Sequence, residues 1–195
     1  MNQLELIFER LTPFLSRKPP QKTKYYTPLF IPRSTFIPQA RQKFDFTFEI
    51  KKQKTVSYQQ DQIQIHFYGP VHHRKKLQSG MRKFFIDQSR RFLFPKVQHY
   101  AQATGLQYRA VRFKNQKSLW GSCSDLKNIN FNIRLLFLPD ELIDYVIIHE
   151  LCHLIHMNHS KAFWQLVETH CQNYKHLEAQ LHQANRYVPK WLFAL

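Results

Sequence analysis

His149, Glu150, His153, His156 and His159 fall within one short stretch, HELCHLIHMNH. Residues four apart on a helix are neighbours on one face, with Cβ atoms about 5–6 Å apart. That spacing lets the imidazoles of His149 and His153 reach one zinc ion at about 2.0–2.1 Å. Glu150 lies about 100° round the helix from His149. It is a poor co-ligand from there, but it can reach a zinc-bound water. This is the H-E-x-x-H pattern of two ligands and a general base. A catalytic zinc takes a third protein ligand and keeps one position open. His156 and His159 both offer themselves. His156 lies about five residues past the midpoint of the first pair, roughly 7 Å along the axis at 1.5 Å per residue. His159 follows the expected helix stop, so a chain reversal favours it over His156. The chemistry would be amide hydrolysis, with Glu150 taking a proton from the water and passing it to the leaving amine. The plainer readings are a satisfied core cluster of histidines or a structural zinc site. Against the core cluster, a carboxylate inside VIIHELCHLI would cost several kcal/mol to bury without a partner.

The segment PDELIDYVIIHELCHLIHMN, residues 139–158, reads as the strongest helix. Pro139 suits its first turn, Asp140 and Glu141 suit the positive end of the dipole, and Asn158 suits a left-handed cap. Ser160 can cap a second helix over about 161–171, and a third helical stretch follows over about 174–185. Phe163 and Trp164 would pack the second helix on the first and hold His159. Upstream, SLWGSC (118–123) and NINFNIRLLFL (128–138) read as a strand pair. Gly121 would permit close backbone approach, and LWGSC is a candidate substrate-binding edge strand. Ile129, Phe131, Ile133 and Leu135 alternate with Asn128, Asn130, Asn132 and Arg134, whose face is expected to meet solvent. The runs KFDFTFEIKKQ (43–53) and DQIQIHFYG (61–69) each alternate with period two, which predicts an antiparallel hairpin. Residues 72–103 read as helical and basic, broken at Pro95. Residues 1–16 read as a short amphipathic helix, and 17–42 as a proline-rich connector.

Composition bounds the rest. The chain has 195 residues, 43% hydrophobic, enough for one domain with a real core. Lys and Arg number 29 against 13 Asp and Glu, a formal charge of +16, so an anionic partner such as nucleic acid is a candidate along helix 72–103. Cys123, Cys152 and Cys171 make an odd, sparse set, which argues against a disulfide framework and for a reducing cytoplasm. No signal peptide or membrane span is expected.

The motifs LWGSCS (119–124), NINFNIRLLFLP (128–139), VIIHELCHLIHMNHSKAFW (146–164) and HCQNY (170–174) resemble the YgjP-like metallopeptidase family of zincins over roughly residues 72–191. More distantly the chain resembles SprT-like and Wss1-like proteases that act on DNA-bound proteins. The front third carries none of these motifs. The resemblance implies His149, His153 and His159 as ligands of one zinc per chain and Glu150 as base. The expectation is then an α+β, zincin-like metallopeptidase domain over 72–195. An antiparallel sheet packs on the HExxH helix, preceded by the 43–71 hairpin and the 1–42 segment. A peptide or protein is the expected substrate. The rival reading is a non-catalytic zinc protein that binds nucleic acid through helix 72–103.

Overall fold

Phe44, Phe46 and Phe48 point one way from a strand whose alternate residues are polar, and that alternation builds the front of the molecule. The computed structural model describes residues 24–195. The helix expected over 1–16 lies outside them. Strands β1 (Ser34–Ile37), β2 (Gln42–Ile50), β3 (Ser57–Asp61) and β4 (Gln64–Gly69) form one sheet in the order β1-β2-β4-β3. Its inner face carries Phe44, Phe46, Phe48, Ile65 and Phe67, all buried. They pack on Leu77, Met81, Phe84 and Phe85 of helix α1 (Arg74–Phe92). Phe84 lies edge-on to Phe44, Phe46 and Phe67 at ring-centroid distances of 5.8, 5.8 and 6.0 Å, the favoured aromatic geometry.

The expected hairpin of 43–53 with 61–69 is not formed. Those strands, β2 and β4, run parallel, from Asp45 beside Gln64 to Ile50 beside Gly69. The partner in the hairpin is β3, which pairs antiparallel with β4 across a tight turn where Gln62 has φ 49°. The sequence Ser-Tyr-Gln-Gln-Asp of β3 is polar enough to read as a turn, so its strand character was hidden.

Helix α1 passes almost directly into α2 (Phe94–Thr104), and the break falls where expected, with Pro95 in the first turn of α2. Gly105, at φ 71°, ends α2 in the left-handed region that glycine tolerates. The basic side chains Arg74, Lys75, Lys76, Lys83, Arg90 and Arg91 of α1 are exposed.

The second sheet holds β5 (Ala110–Lys114), β6 (Gly121–Cys123) and β7 (Asn128–Asn132) in the order β5-β7-β6. It is mixed rather than antiparallel. Strand β6 pairs antiparallel with β7, as the sequence suggests, but β5 lies parallel to β7 on its other side. A 3₁₀ turn (Ile133–Phe137) then leads into helix α3 (Asp140–Cys152), followed by α4 (Lys161–His170) and α5 (Tyr174–Leu181). The architecture is α+β. No helix of the described residues is long and apolar enough to cross a membrane.

Candidate metal centre

Helix α3 forms because Leu142, Ile143, Val146, Ile147, Ile148 and Leu151 are all buried, and only packing on every side satisfies such a segment. Pro139 is its N-cap residue rather than part of its first turn. Lys96 of α2 fastens the start of the helix, with Nζ 3.0 Å from Asp140 Oδ1 and 2.9 Å from Asp144 Oδ1.

The helix stops at Cys152, six residues before the expected Asn158. Asn158 is not in the left-handed region, and its Oδ1 instead accepts from the Ser160 amide at 3.3 Å. The stop comes from tightening of the last turn, where Leu154 N donates to Leu151 O and Ile155 N to Cys152 O. It matters for the site, because the residues after His153 are freed to reverse. Ser160 then caps α4 as expected, accepting from the Phe163 amide.

The reversal brings His159 back. Its Nε2 lies 3.1 Å from His149 Nε2, and His153 Nε2 lies 3.2 Å from the same atom. One ring nitrogen from each of the three lies within 4.8 Å of the others, and among the described residues no other such group forms. His156 does not join them. Its carbonyl oxygen sits 2.9 Å from His153 Nδ1. A carbonyl only accepts, so His153 Nδ1 carries the proton and Nε2 presents a lone pair to the cluster.

Phe163 underlies all three imidazoles. Its ring stacks on His153 at 4.4 Å and meets His149 at 5.0 Å and His159 at 4.8 Å near the perpendicular. Trp164 stacks between His159 and Tyr174, at 5.5 and 5.3 Å. Both aromatics hold α4 on α3 and fix His159, as their positions in the sequence imply.

Burial first, then the neighbouring His153 and His159, holds His149 down to about 3, and burial lowers His153 as well. Both rings are therefore neutral near pH 7, the form that ligates metals. Three unprotonated ring nitrogens at this distance would repel, and a cation held between them would relieve that repulsion. Nitrogens bound tetrahedrally at about 2.0–2.1 Å lie about 3.3 Å apart. The observed 3.1 and 3.2 Å fit that geometry.

Glu150 is 5% exposed, and burial pushes its carboxyl up to about 8. Its Oε2 is buried without a protein partner. Gly121 of β6 lies against the same side chain. A Cβ at Gly121 would stand 2.5 Å from Glu150 Oε1 and Cγ, so only glycine lets β6 and α3 meet here. The close approach expected of Gly121 is thus to Glu150.

Glu150 and the three histidines face a cavity of about 510 Å³, within the size range of ligand pockets. One wall is residues 118–123, with β6 the edge strand of its sheet. That wall is held from behind by residues expected to face solvent. Asn132 is 1% exposed, and its Nδ2 donates to Gln116 O at 2.9 Å and Leu119 O at 2.7 Å. Arg134 is 5% exposed and donates to Lys117 O at 3.0 Å. Loop carbonyls take both Asn132 Nδ2 bonds and one guanidinium nitrogen of Arg134, while Arg134 Nε stays unpartnered. Cys123 also lines the cavity, with burial raising its thiol to about 11, so it is not poised as a thiolate.

The rest of the lining lies outside the sequence motifs. It comes from α3 and α5 and the turn beyond, through Tyr145, Glu178, Leu181, His182 and Asn185. The signal in the sequence is the four-residue spacing of Glu178 and His182, which puts them on one face at the end of α5.

Residues 27–184 match the profile of a family described as YgjP-like, metallopeptidase domain. The match takes in the front sheet, well ahead of the motifs that carry the resemblance. Two solved structures are similar. The metallopeptidase zymogen abylysin of Pyrococcus abyssi is 27% identical, with a TM-score of 0.41, over 46% of this chain and 90% of that one. The metallopeptidase zymogen jannalysin of Methanocaldococcus jannaschii is 21% identical, with a TM-score of 0.41, over 46% and 92%. No curated protein matches the chain.

Proposed function

The chain belongs to the YgjP-like metallopeptidase family, and on that premise we propose that it is a zinc-dependent peptidase. His149, His153 and His159 hold one zinc per chain, and Glu150 is the proton carrier. The observation that carries the reading is the convergence of three ring nitrogens beside a buried, unpartnered carboxyl.

Zinc in such a site supplies Lewis acidity, polarising a carbonyl and lowering the pKa of water toward about 7. The remaining work falls to the protein. Glu150 Oε2 has no competing hydrogen bond, so it is free to take the proton of the attacking water. Its carboxyl, raised to about 8 by burial, can both accept and release a proton near neutrality. A cation held by the three neutral imidazoles would draw that value back down. Glu150 then hands the proton to the leaving amine. The substrate backbone lies extended along β6, whose outer edge has no strand partner among the described residues. Asn132 and Arg134 keep the wall beside it in place. Phe163 keeps water from the rear of the three imidazoles.

The test is elemental analysis of the purified protein and of His149→Ala, His153→Ala and His159→Ala, combined with peptide cleavage. The expected result is about one zinc per chain in the wild type, lost in each variant, and cleavage abolished by a chelator and restored by zinc. A protein that takes up no zinc after reconstitution would overturn the reading.

A further inference from the structure

The chain carries 29 Lys and Arg against 13 Asp and Glu. None of the basic residues lines the cavity, whose carboxyl groups are Glu150 and Glu178. A strongly cationic protein thus keeps the cleft beside its three clustered histidines free of lysine and arginine. An ionised carboxylate on a wall without lysine or arginine attracts a cationic group.

Glu178 is, with Glu150, one of the two carboxylates on the cavity wall. Elsewhere the acidic side chains are either exposed, as at Asp61, Asp125, Glu141 and Glu168, or engaged. Glu49 meets Lys51 at 3.0 Å and His66 at 2.9 Å, Asp87 accepts from Tyr58 at 2.7 Å, and Asp140 and Asp144 share Lys96. Glu178 is half-buried and has no hydrogen bond or ion pair among the described residues. It is not a fourth member of the metal cluster, which holds only the three histidines. It lines the same cavity as the three histidines and shares its wall with Tyr145, whose ring lies 5.8 Å from that of His149. Leu181, one turn along α5, and Val146 add apolar surface to that wall. A carboxylate beside aliphatic surface suits a cation on an alkyl stem.

We propose that Glu178 is the specificity-determining residue of the cleft, binding a cationic group of the substrate next to the scissile bond. The group is a lysine or arginine side chain or a free N-terminal ammonium. This rests on the peptidase reading above.

The experiment uses the full-length, zinc-loaded protein and a set of hexapeptides. Each carries lysine or arginine at one position, or norleucine or citrulline in its place, with the N-terminus free or acetylated. The wild type is expected to prefer the cationic member of a pair by about tenfold in kcat/KM, as for a half-buried charge pair. Glu178→Gln brings that ratio to about one, while Glu178→Asp retains a preference. If the preference follows acetylation rather than the side chain, the bound group is the N-terminal ammonium. A wild type without preference, or a Glu178→Gln variant that slows both members equally, overturns the proposal. If no peptide is cleaved at all, the peptidase reading fails, and the proposal is judged by binding instead. The lysine and norleucine peptides are titrated calorimetrically into Glu150→Gln and into Glu150→Gln/Glu178→Gln. Selective loss of affinity for the lysine peptide in the double variant supports the assignment, and equal affinities in the two proteins overturn it.

Discussion

The phenylalanine-packed front sheet and the histidine-bearing helix α3 treat buried polar atoms in opposite ways. In front, the fully buried Ser89 donates from Oγ to Phe85 O at 2.8 Å. Over residues 24–92 the buried side-chain atom left without a partner is Gln88 Oε1. In the stretch 115–150, Asn115 Oδ1, Gln116 Oε1, Asn130 Oδ1, Arg134 Nε, His149 Nδ1 and Glu150 Oε2 are all in that condition. An unsatisfied buried group costs about 1–3 kcal/mol. The front therefore loses little stability to unpaired groups, and the back loses more, with His149 Nδ1 and Glu150 Oε2 the two that belong to the candidate site. Phe84 and Glu150 are the clearest pair. Both are buried, one among rings it contacts on every side, the other with an oxygen that touches no donor.

Substituting that pair gives the two largest expected effects. Glu150→Gln should lower peptide cleavage by about 10²–10⁴-fold, the usual worth of a general base. Its melting temperature should hold or rise, because a neutral amide replaces an acid that burial disfavours when charged. Activity assay and thermal unfolding of one preparation check this, and a variant that loses both would break the contrast. Phe84→Ala should do the reverse, destabilising by about 3–5 kcal/mol in denaturant titration. Its zinc content should stay at the wild-type value. Smaller is Gly121→Ala, at about 1–3 kcal/mol of overpacking. Its methyl meets Glu150 rather than open space, so activity should fall by more than stability accounts for. Equal losses would make Gly121 a packing residue only.

Much of the site was legible because it is local. The spacing of His149 and His153, the later His159 and the Ser160 cap all lie within one turn-and-reversal, where helix geometry decides. What was hidden depends on distant partners. Leu154 and Ile155 prolong the apolar pattern of α3, so its stop at Cys152 is invisible without the turn that forms there. Asn132 and Arg134 read as a solvent face because their acceptors, the carbonyls of residues 116, 117 and 119, come from another segment. The parallel pairing of β2 with β4 depends on β3, whose polar residues mask a strand. Glu178 enters the cleft only when α5 packs on α3. Periodicity reports which face of an element is buried, and not what it is buried against.

The smallest effect belongs to His156, and it separates two meanings of the same residue. The reversal places the His156 carbonyl, not its imidazole, on the cluster, 2.9 Å from His153 Nδ1. His156→Ala keeps that carbonyl and the Cys152 bond of its amide, 3.1 Å long. Zinc content should remain at about one per chain, and stability should change by less than about 0.5 kcal/mol, as for ordinary surface positions. His156→Pro removes the amide donor and strains the turn, so zinc should bind more weakly by about 10–100-fold, the range for outer-shell partners of a ligating histidine. Competition with a zinc-binding dye reads both. Weak binding by the alanine variant would assign the ring a role, whereas weak binding by the proline variant alone locates the contribution of His156 in the backbone that orients His153.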